Sequence, residues 1–214
     1  MTTIQIKVPN WLDRLFVWPL LLYRLCKFGY TYRRIFLSEG KWTLVDVADY
    51  YWLNSYKWIV YGNKNNLYAV RNNLIAPYET RPVYMHRVIM NPPFGLYVDH
   101  RNTDSLDNRR SNLRFATPSQ NMQNRRKKKN TTSQYRSVWL LKNGKYESQI
   151  THQGKRIHLG WFDSEIDAAR AYDRAAIKYH GEFARLNFPR EDYDVEIKNT
   201  KPLAESRFGE THNE

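Results

Sequence analysis

The chain has 214 residues, 42% of them apolar and 15% aromatic, which is enough to bury a core and excludes a disordered or low-complexity protein. Its formal net charge of +13 is uneven: +5 over residues 1–80, +12 over 81–160, where 16 basic face 4 acidic side chains, and −4 over 161–214. A middle so basic suits a polyanion, most commonly nucleic acid, although charge alone leaves solubility and anionic lipid open, and the single cysteine, Cys26, excludes an intrachain disulfide framework or cysteine-rich zinc site and fits a reducing, cytoplasmic setting.

Residues 11–25, WLDRLFVWPLLLYRL, are the most apolar stretch. Its uninterrupted part, Leu15 to Tyr23, is 9 residues long between Arg14 and Arg24, against about 20 needed to cross a bilayer. No transmembrane segment is expected. Asp13 before it and CKFGYTYRR after it lack the charge order and small-residue site of a signal peptide. A helical segment over 1–34 is expected to pack on its own protein rather than on a membrane surface.

Past Arg34, KWTLVDVADYYWL and KWIVYGNKNNLYAVRNNLI are rich in Val, Ile, Tyr and Trp. Both read as β-like, the second as a hairpin over about 57–75 that turns at Gly62 to Asn66. RPVYMHRVIM reads as a strand or a short helix closed by Asn91, Pro92 and Pro93. ATPSQNMQN begins a helix with Thr117 as N-cap and Pro118 as first helical residue. The polar, basic run NRRKKKNTTSQ has no apolar periodicity and reads as a linker over 127–134. Short β-like runs follow, turning at Asn143-Gly144 and Gln153-Gly154, and predict three antiparallel strands. DSEIDAARAYDRAAIKYHGEF predicts one helix, capped by Ser164 and closed at Gly181, with Ala168, Ala169, Tyr172, Ala175, Ala176 and Tyr179 on one face. Residues 190–214 read as a polar tail. The fold class expected is α+β, in two modules over 35–126 and 135–189.

Residues 98–124, VDHRNTDSLDNRRSNLRFATPSQNMQN, concentrate chemistry: an adjacent acid and base, five asparagines and four arginines, with few apolar side chains. Hydrolysing a phosphodiester needs a base to activate water and a cation to neutralise charge on the phosphate and the leaving oxygen. Asp99, His100, Asn112 and Asn121 are able to supply both. As neighbours on a strand, Asp99 and His100 point to opposite faces unless the strand bends or ends there, so one could hold a metal while the other faces water. A hairpin followed by the Thr117-capped helix would set the Asn121 amide oxygen beside the Asp99 carboxylate, with a hard cation between them. Asn102 and Asn108 read as turn formers. His86, outside the acid, base and amide set, reads as a structural hydrogen-bonding residue.

The segment from Tyr84 to Arg126 resembles the HNH endonucleases, especially the homing-endonuclease branch, in MHRVIM, VDH, LDNRRSNLR and SQNMQN. The resemblance implies a ββα-metal module that grips one divalent cation, Mg²⁺ with Mn²⁺ as the alternative. It implies His100 as general base, Asp99 and Asn121 as metal ligands, and Asn112 as the amide that fixes the loop around the base. Asn121 stands where many relatives have histidine, a form found in the homing branch.

Tyr135 to Pro189 is similar to the plant APETALA-two/ethylene-response-factor DNA-binding domain in YRSV, GKRIHLGWFDS and DAARAYDRAAIKYHGEFARLNFP. That resemblance implies a three-stranded antiparallel sheet packed on one helix and reading the major groove. Arg136 and Arg156 stand where that family uses arginine, whereas Leu140, Leu141, Asn143, Gln149 and Thr151 depart from its arginine-rich and tryptophan-rich choices. Trp139 reads equally as sheet packing or a DNA contact. The DNA-facing set expected is Arg109, Arg110, Arg114, Arg125, Arg126, Lys127, Arg136, Trp139, Lys145 and Arg156. FGYTYRRIFLSEGKWTLVDVADYYWL looks like the region preceding HNH in mobile-element endonucleases of bacteria and phages. The combined expectation is an intracellular, bacterial or phage-encoded, metal-dependent endonuclease acting on double-stranded DNA; the alternative is a catalytically inactive DNA-binding regulator. Target sequence and oligomeric state stay open.

Overall fold

A computed structural model describes residues 10–63, 66–76, 79–124 and 131–194. The chain divides into two compact units, Met1–Asn124 and Arg125–Glu214.

Unit 1 opens with helix α1 (Asn10–Phe28). Its inward stripe follows helical spacing. Asp13 accepts hydrogen bonds from Arg33 at 2.9 Å and from the Tyr51 hydroxyl at 3.1 Å, and Arg24 lies over the Tyr32 ring, 4.1 Å from its centroid. Leu15, Phe16, Trp18 and Leu22 face outward. Among the described residues, no helix is long and apolar enough to cross a membrane.

Strands β1 (Arg33–Phe36) and β2 (Trp42–Val45) pair antiparallel, and helix α2 (Val47–Asn54) follows. The β-like run through DVADYYWL is therefore helical. Its aromatic residues favour strand weakly, but helical spacing buries Asp49 and Leu53 four apart, and Asp49 then accepts from Arg110 and Trp52. Tertiary contacts of that kind override a strand preference worth about 1 kcal/mol or less.

A three-stranded meander, β3 (Ile59–Asn63), β4 (Asn66–Ala76) and β5 (Glu79–Tyr84), extends the expected hairpin by one strand. RPVYMHRVIM is both strand and helix: β5 ends at Tyr84 and α3 (Met85–Met90) begins, stopped by Asn91 in the left-handed conformation at φ 45°. Strands β6 (Tyr97–His100) and β7 (Leu113–Ala116) then pair antiparallel, with Asp99 opposite Arg114 and His100 opposite Leu113. Helix α4 (Pro118–Gln123) follows, its first turn closed by a capping box in which Thr117 and Gln120 satisfy each other's backbone amides. Ile35, Val45, Leu53, Trp58, Met85, Ile89, Val98 and Leu113 form the core beneath these elements.

In unit 2, β8 (Val138–Leu140), β9 (Tyr146–His152) and β10 (Lys155–Phe162) form an antiparallel sheet in the order β10-β9-β8. Gln153 and Gly154 both have positive φ, the two-residue hairpin geometry that matches strand twist. Helix α5 (Glu165–His180) starts at Ser164, whose hydroxyl accepts from the Asp167 amide, and ends at Gly181, φ 57°. Its alanine face packs against Val138 and the sheet's inner side chains, small residues permitting close approach.

Two segments read as linker and tail join this unit's fold. The Thr132 hydroxyl accepts from the Leu140 amide, and the Gln134 amide donates to Glu165. The fully buried Asp173 carboxylate accepts from the Asn187 and Phe188 amides and the Tyr193 hydroxyl, pinning the chain beyond Pro189. Arg125, Arg126 and Lys127 lie outside the described residues.

Candidate active site and DNA-facing surface

The two residues that end β6 diverge, as a strand's alternation requires. Asp99 is 6% exposed and faces its cross-strand neighbour: its Oδ2 accepts from Arg114 Nε at 2.9 Å and lies 2.8 Å from a second guanidinium nitrogen. Asn124 Nδ2 donates to both Asp99 carboxylate oxygens at 3.0 Å and to the His100 carbonyl at 2.8 Å. The amide that touches Asp99 is thus Asn124, not Asn121. Because α4 begins at Pro118, the two asparagines are one turn apart and share a side of the helix. The Asn121 side chain is half-buried.

His100, also buried, points into an aromatic cluster. Its ring stands edge-on to His86 at 5.1 Å and tilts against Tyr68 at 6.3 Å, and its Nε2 lies 3.2 Å from Asn108 Oδ1. Burial lowers the pKa of His100 below the ordinary histidine value, opposed by the Asn108 hydrogen bond and the charges of Asp99, Asp104 and Asp107. The ring is therefore kept neutral, the form in which a nitrogen can take a proton. His86 is pushed down to about 3, first by burial and then by His100 and Arg87.

The unfolded chain takes up the His86 proton as pH falls through about 6.5, while the folded chain refuses it until about pH 3. The stability that His86 burial permits is fully present above the unfolded value and is lost toward the folded one, by up to about 1.4 kcal/mol per pH unit. Urea unfolding of the whole protein between pH 7 and 4 should show this slope, and His86→Phe, which keeps a ring, should flatten it. Equal slopes would show that His86 titrates alike in both states.

The loop between β6 and β7 is fastened by side chains. Asn112 Nδ2 donates to the Asp107 carbonyl at 2.8 Å, and Asn112 Oδ1 accepts from the Asn102 amide at 3.0 Å. The Asp107 carboxylate accepts from Asn102 at 3.0 Å and from two nitrogens of Arg109 at 2.7 and 2.6 Å, while that guanidinium lies 4.1 Å from the Tyr30 ring centroid. Arg110 makes two hydrogen bonds to Asp49, at 2.7 and 2.9 Å, and stays about half exposed. The DNA-facing expectation for Arg109 and Arg114 is revised accordingly. Both guanidinium groups are largely buried and paired with carboxylates, so they brace the loop and β6 rather than facing solvent.

The Asp99 carboxylate is a hard oxygen donor of the kind a divalent cation takes, although both its oxygens already accept from Asn124 and Oδ2 from Arg114. Among the described residues, no group of three or more His, Cys, Asp and Glu side chains could hold a metal ion. Asn124 received no role from the sequence, Asn108 only that of a turn former, and His86 only that of a structural hydrogen-bonding residue. The available signal was that asparagine recurs at 121 and 124, one helical turn apart.

On unit 2 the outer face of the sheet carries Trp139 and Trp161, both opposite Glu147 on the central strand and both exposed. The His158 ring is tilted against Trp161 with centroids 4.8 Å apart and lies 3.1 Å from the Glu147 carboxylate. Arg156 is exposed, and Lys145 pairs with Asp163 at 3.1 Å. Arg136 is half-buried, donating from Nε to the Tyr172 hydroxyl at 2.8 Å. Trp161 reaches the outer face through a register shift between His158 and Gly160, where unbroken alternation from the core-packed Leu159 would have turned it inward.

The HNH endonuclease family model matches residues 83–123, from the end of β5 through α4. An uncharacterized HNH endonuclease of Acanthamoeba polyphaga mimivirus is 30% identical over 158 residues, covering 71% of this chain and 73% of that protein. APETALA2-like protein 2 of Oryza sativa subsp. indica is 42% identical over 85 residues, covering 39% of this chain and 20% of its own length. The AP2-like ethylene-responsive transcription factor TOE2 of Arabidopsis thaliana is 43% identical over 81 residues, covering 37% of this chain and 17% of its own. The chain thus spans a fifth or less of these plant relatives. With an HNH model over the β6–β7–α4 region and a relative of that kind matched along most of both chains, this protein belongs to the HNH endonuclease family.

Proposed function

We propose that the protein is a metal-dependent endonuclease of homing or mobile-element type that hydrolyses phosphodiester bonds in double-stranded DNA inside the cell. The nuclease module is residues 35–126, arranged as a ββα-metal unit, and residues 135–189 form the DNA-recognition domain. The observation that carries the reading is the buried pair at the end of β6, His100 beside Asp99, with a fastened loop behind them. His100 accepts the proton of the attacking water, and Asn112 holds the loop that positions it. Asp99 and Asn121 would hold the cation, Mg²⁺ or Mn²⁺. When bound, the cation supplies positive charge for the phosphate and the leaving oxygen. Arg110 and the run Arg125, Arg126, Lys127 contact phosphates, and Trp139, Lys145 and Arg156, with the half-buried Arg136 behind them, form the reading face of the sheet.

The Asp99–Arg114 pair favours a second reading, because a guanidinium already occupies one edge of the carboxylate. That reading is a DNA-binding regulator without cleavage. Plasmid incubation with Mg²⁺, with Mn²⁺ and with chelator separates the two: metal-dependent nicking or linearisation supports the nuclease, and DNA binding with no cleavage in either metal selects the regulator. Within the nuclease reading, Lys145→Ala with Arg156→Ala in the full chain is expected to weaken duplex binding about tenfold or more at moderate salt and to reduce the salt slope by about two. An unchanged slope would remove these side chains from the DNA interface.

A further inference from the structure

A chain of hydrogen bonds behind His100 decides which of its nitrogens carries the proton. The Thr43 hydroxyl lies 2.6 Å from the Leu106 carbonyl oxygen. A carbonyl cannot donate, so the single hydroxyl hydrogen must point at it. Thr43 Oγ1 can therefore only accept from Asn108, 65 residues away in sequence and 2.8 Å away in space, and must face the amide Nδ2. Turning the amide over would set its oxygen against a hydroxyl with no hydrogen left to give. With Nδ2 on Thr43, Asn108 presents Oδ1 to His100 Nε2 at 3.2 Å. In the neutral ring that nitrogen must be the protonated one.

The backbone holds the relay in place. The Leu44 amide donates to the same Leu106 carbonyl at 2.9 Å, and the Asn108 amide donates to the Leu44 carbonyl at 2.8 Å. Thr43 and Asn108 are 0% and 1% exposed, so water cannot substitute for either partner. We infer that Thr43 and Asn108 are positioning residues that lock His100 in the Nε2–H tautomer, leaving Nδ1 as the nitrogen that accepts a proton. The catalytic consequence rests on the general-base role proposed for His100; the tautomer does not. Thr43 lies on β2, outside the region that matches the HNH family model, so the relay ties the strand pair preceding that region to its chemistry.

The test is long-range ¹H–¹⁵N correlation of the histidine rings in the full-length protein, with His100 assigned by its absence from His100→Ala. Wild type is expected to show a protonated Nε2 and an unprotonated Nδ1; the reverse pattern overturns the proposal without need of any variant. Thr43→Val frees the amide to turn, so both tautomers should appear and kcat should fall about twofold at unchanged KM, in proportion to the rings that lose an unprotonated Nδ1, while Thr43→Ser should restore the wild-type pattern. A single wild-type tautomer in Thr43→Val would also overturn it. The expected tautomer together with undiminished cleavage by His100→Ala would uphold the relay and remove His100 as the base, so the two readings fail separately.

Discussion

Cleavage by His100→Ala is expected to fall by about two to four orders of magnitude, the usual cost of losing a general base, while duplex affinity stays within about twofold because phosphate contacts carry most of it. The structure adds a requirement to this test. His100 packs against His86 and Tyr68, so alanine leaves a gap in an aromatic cluster as well as removing a base. His100→Gln keeps more of the volume and a polar partner for Asn108, and it should lose cleavage to the same extent with a smaller loss of stability. Cleavage by either variant at the wild-type rate would take His100 out of the mechanism.

Asp99→Ala is expected to act on the fold as strongly as on the chemistry. Arg114 is 6% exposed and paired with Asp99 at 2.8 Å, and a guanidinium left there without its carboxylate costs about 3–5 kcal/mol. Asn124 loses an acceptor in the same substitution. Asp99→Ala combined with Arg114→Met removes the orphan charge and should recover most of the stability, since replacing both members of a buried pair by apolar groups is close to neutral. Cleavage should stay lost in both variants. Urea midpoints and plasmid cleavage measured side by side separate the roles: a double variant that cuts like wild type would make Asp99 a structural partner of Arg114 alone. An Asp99→Ala midpoint equal to wild type would mean that the pair contributes nothing.

The parts of this protein that obey local rules were legible in its sequence. Thr117, Pro118 and Gln120 specify the start of α4 because a cap is built from atoms within four residues. Ser164 and Gly181 mark the ends of α5, and Gly144 and Gln153-Gly154 mark two turns, for the same reason. The motifs VDH, LDNRRSNLR and SQNMQN carried the HNH relationship, since residues that share a site through one hairpin and one helix lie within about 30 positions. The alanine-rich helix likewise carried the likeness to the plant proteins.

What the sequence left undecided depends on partners distant along the chain. DVADYYWL is helical because Asp49 meets Arg110, 61 residues on, and no local pattern contains that encounter. Arg109 and Arg114 look like phosphate contacts in a list of charges, and only the register that sets Asp99 opposite Arg114 and the fold that brings the Tyr30 ring against Arg109 turn them inward. The choice of Asn124 over Asn121 as the amide on Asp99 is made by how α4 packs on β6, which periodicity cannot supply because the two residues lie one turn apart. Thr43 and Asn108 show the division most plainly. Each is an ordinary polar residue in its own segment, yet burial removes water as a partner and makes the direction of every hydrogen in their chain to His100 a property of the tertiary structure.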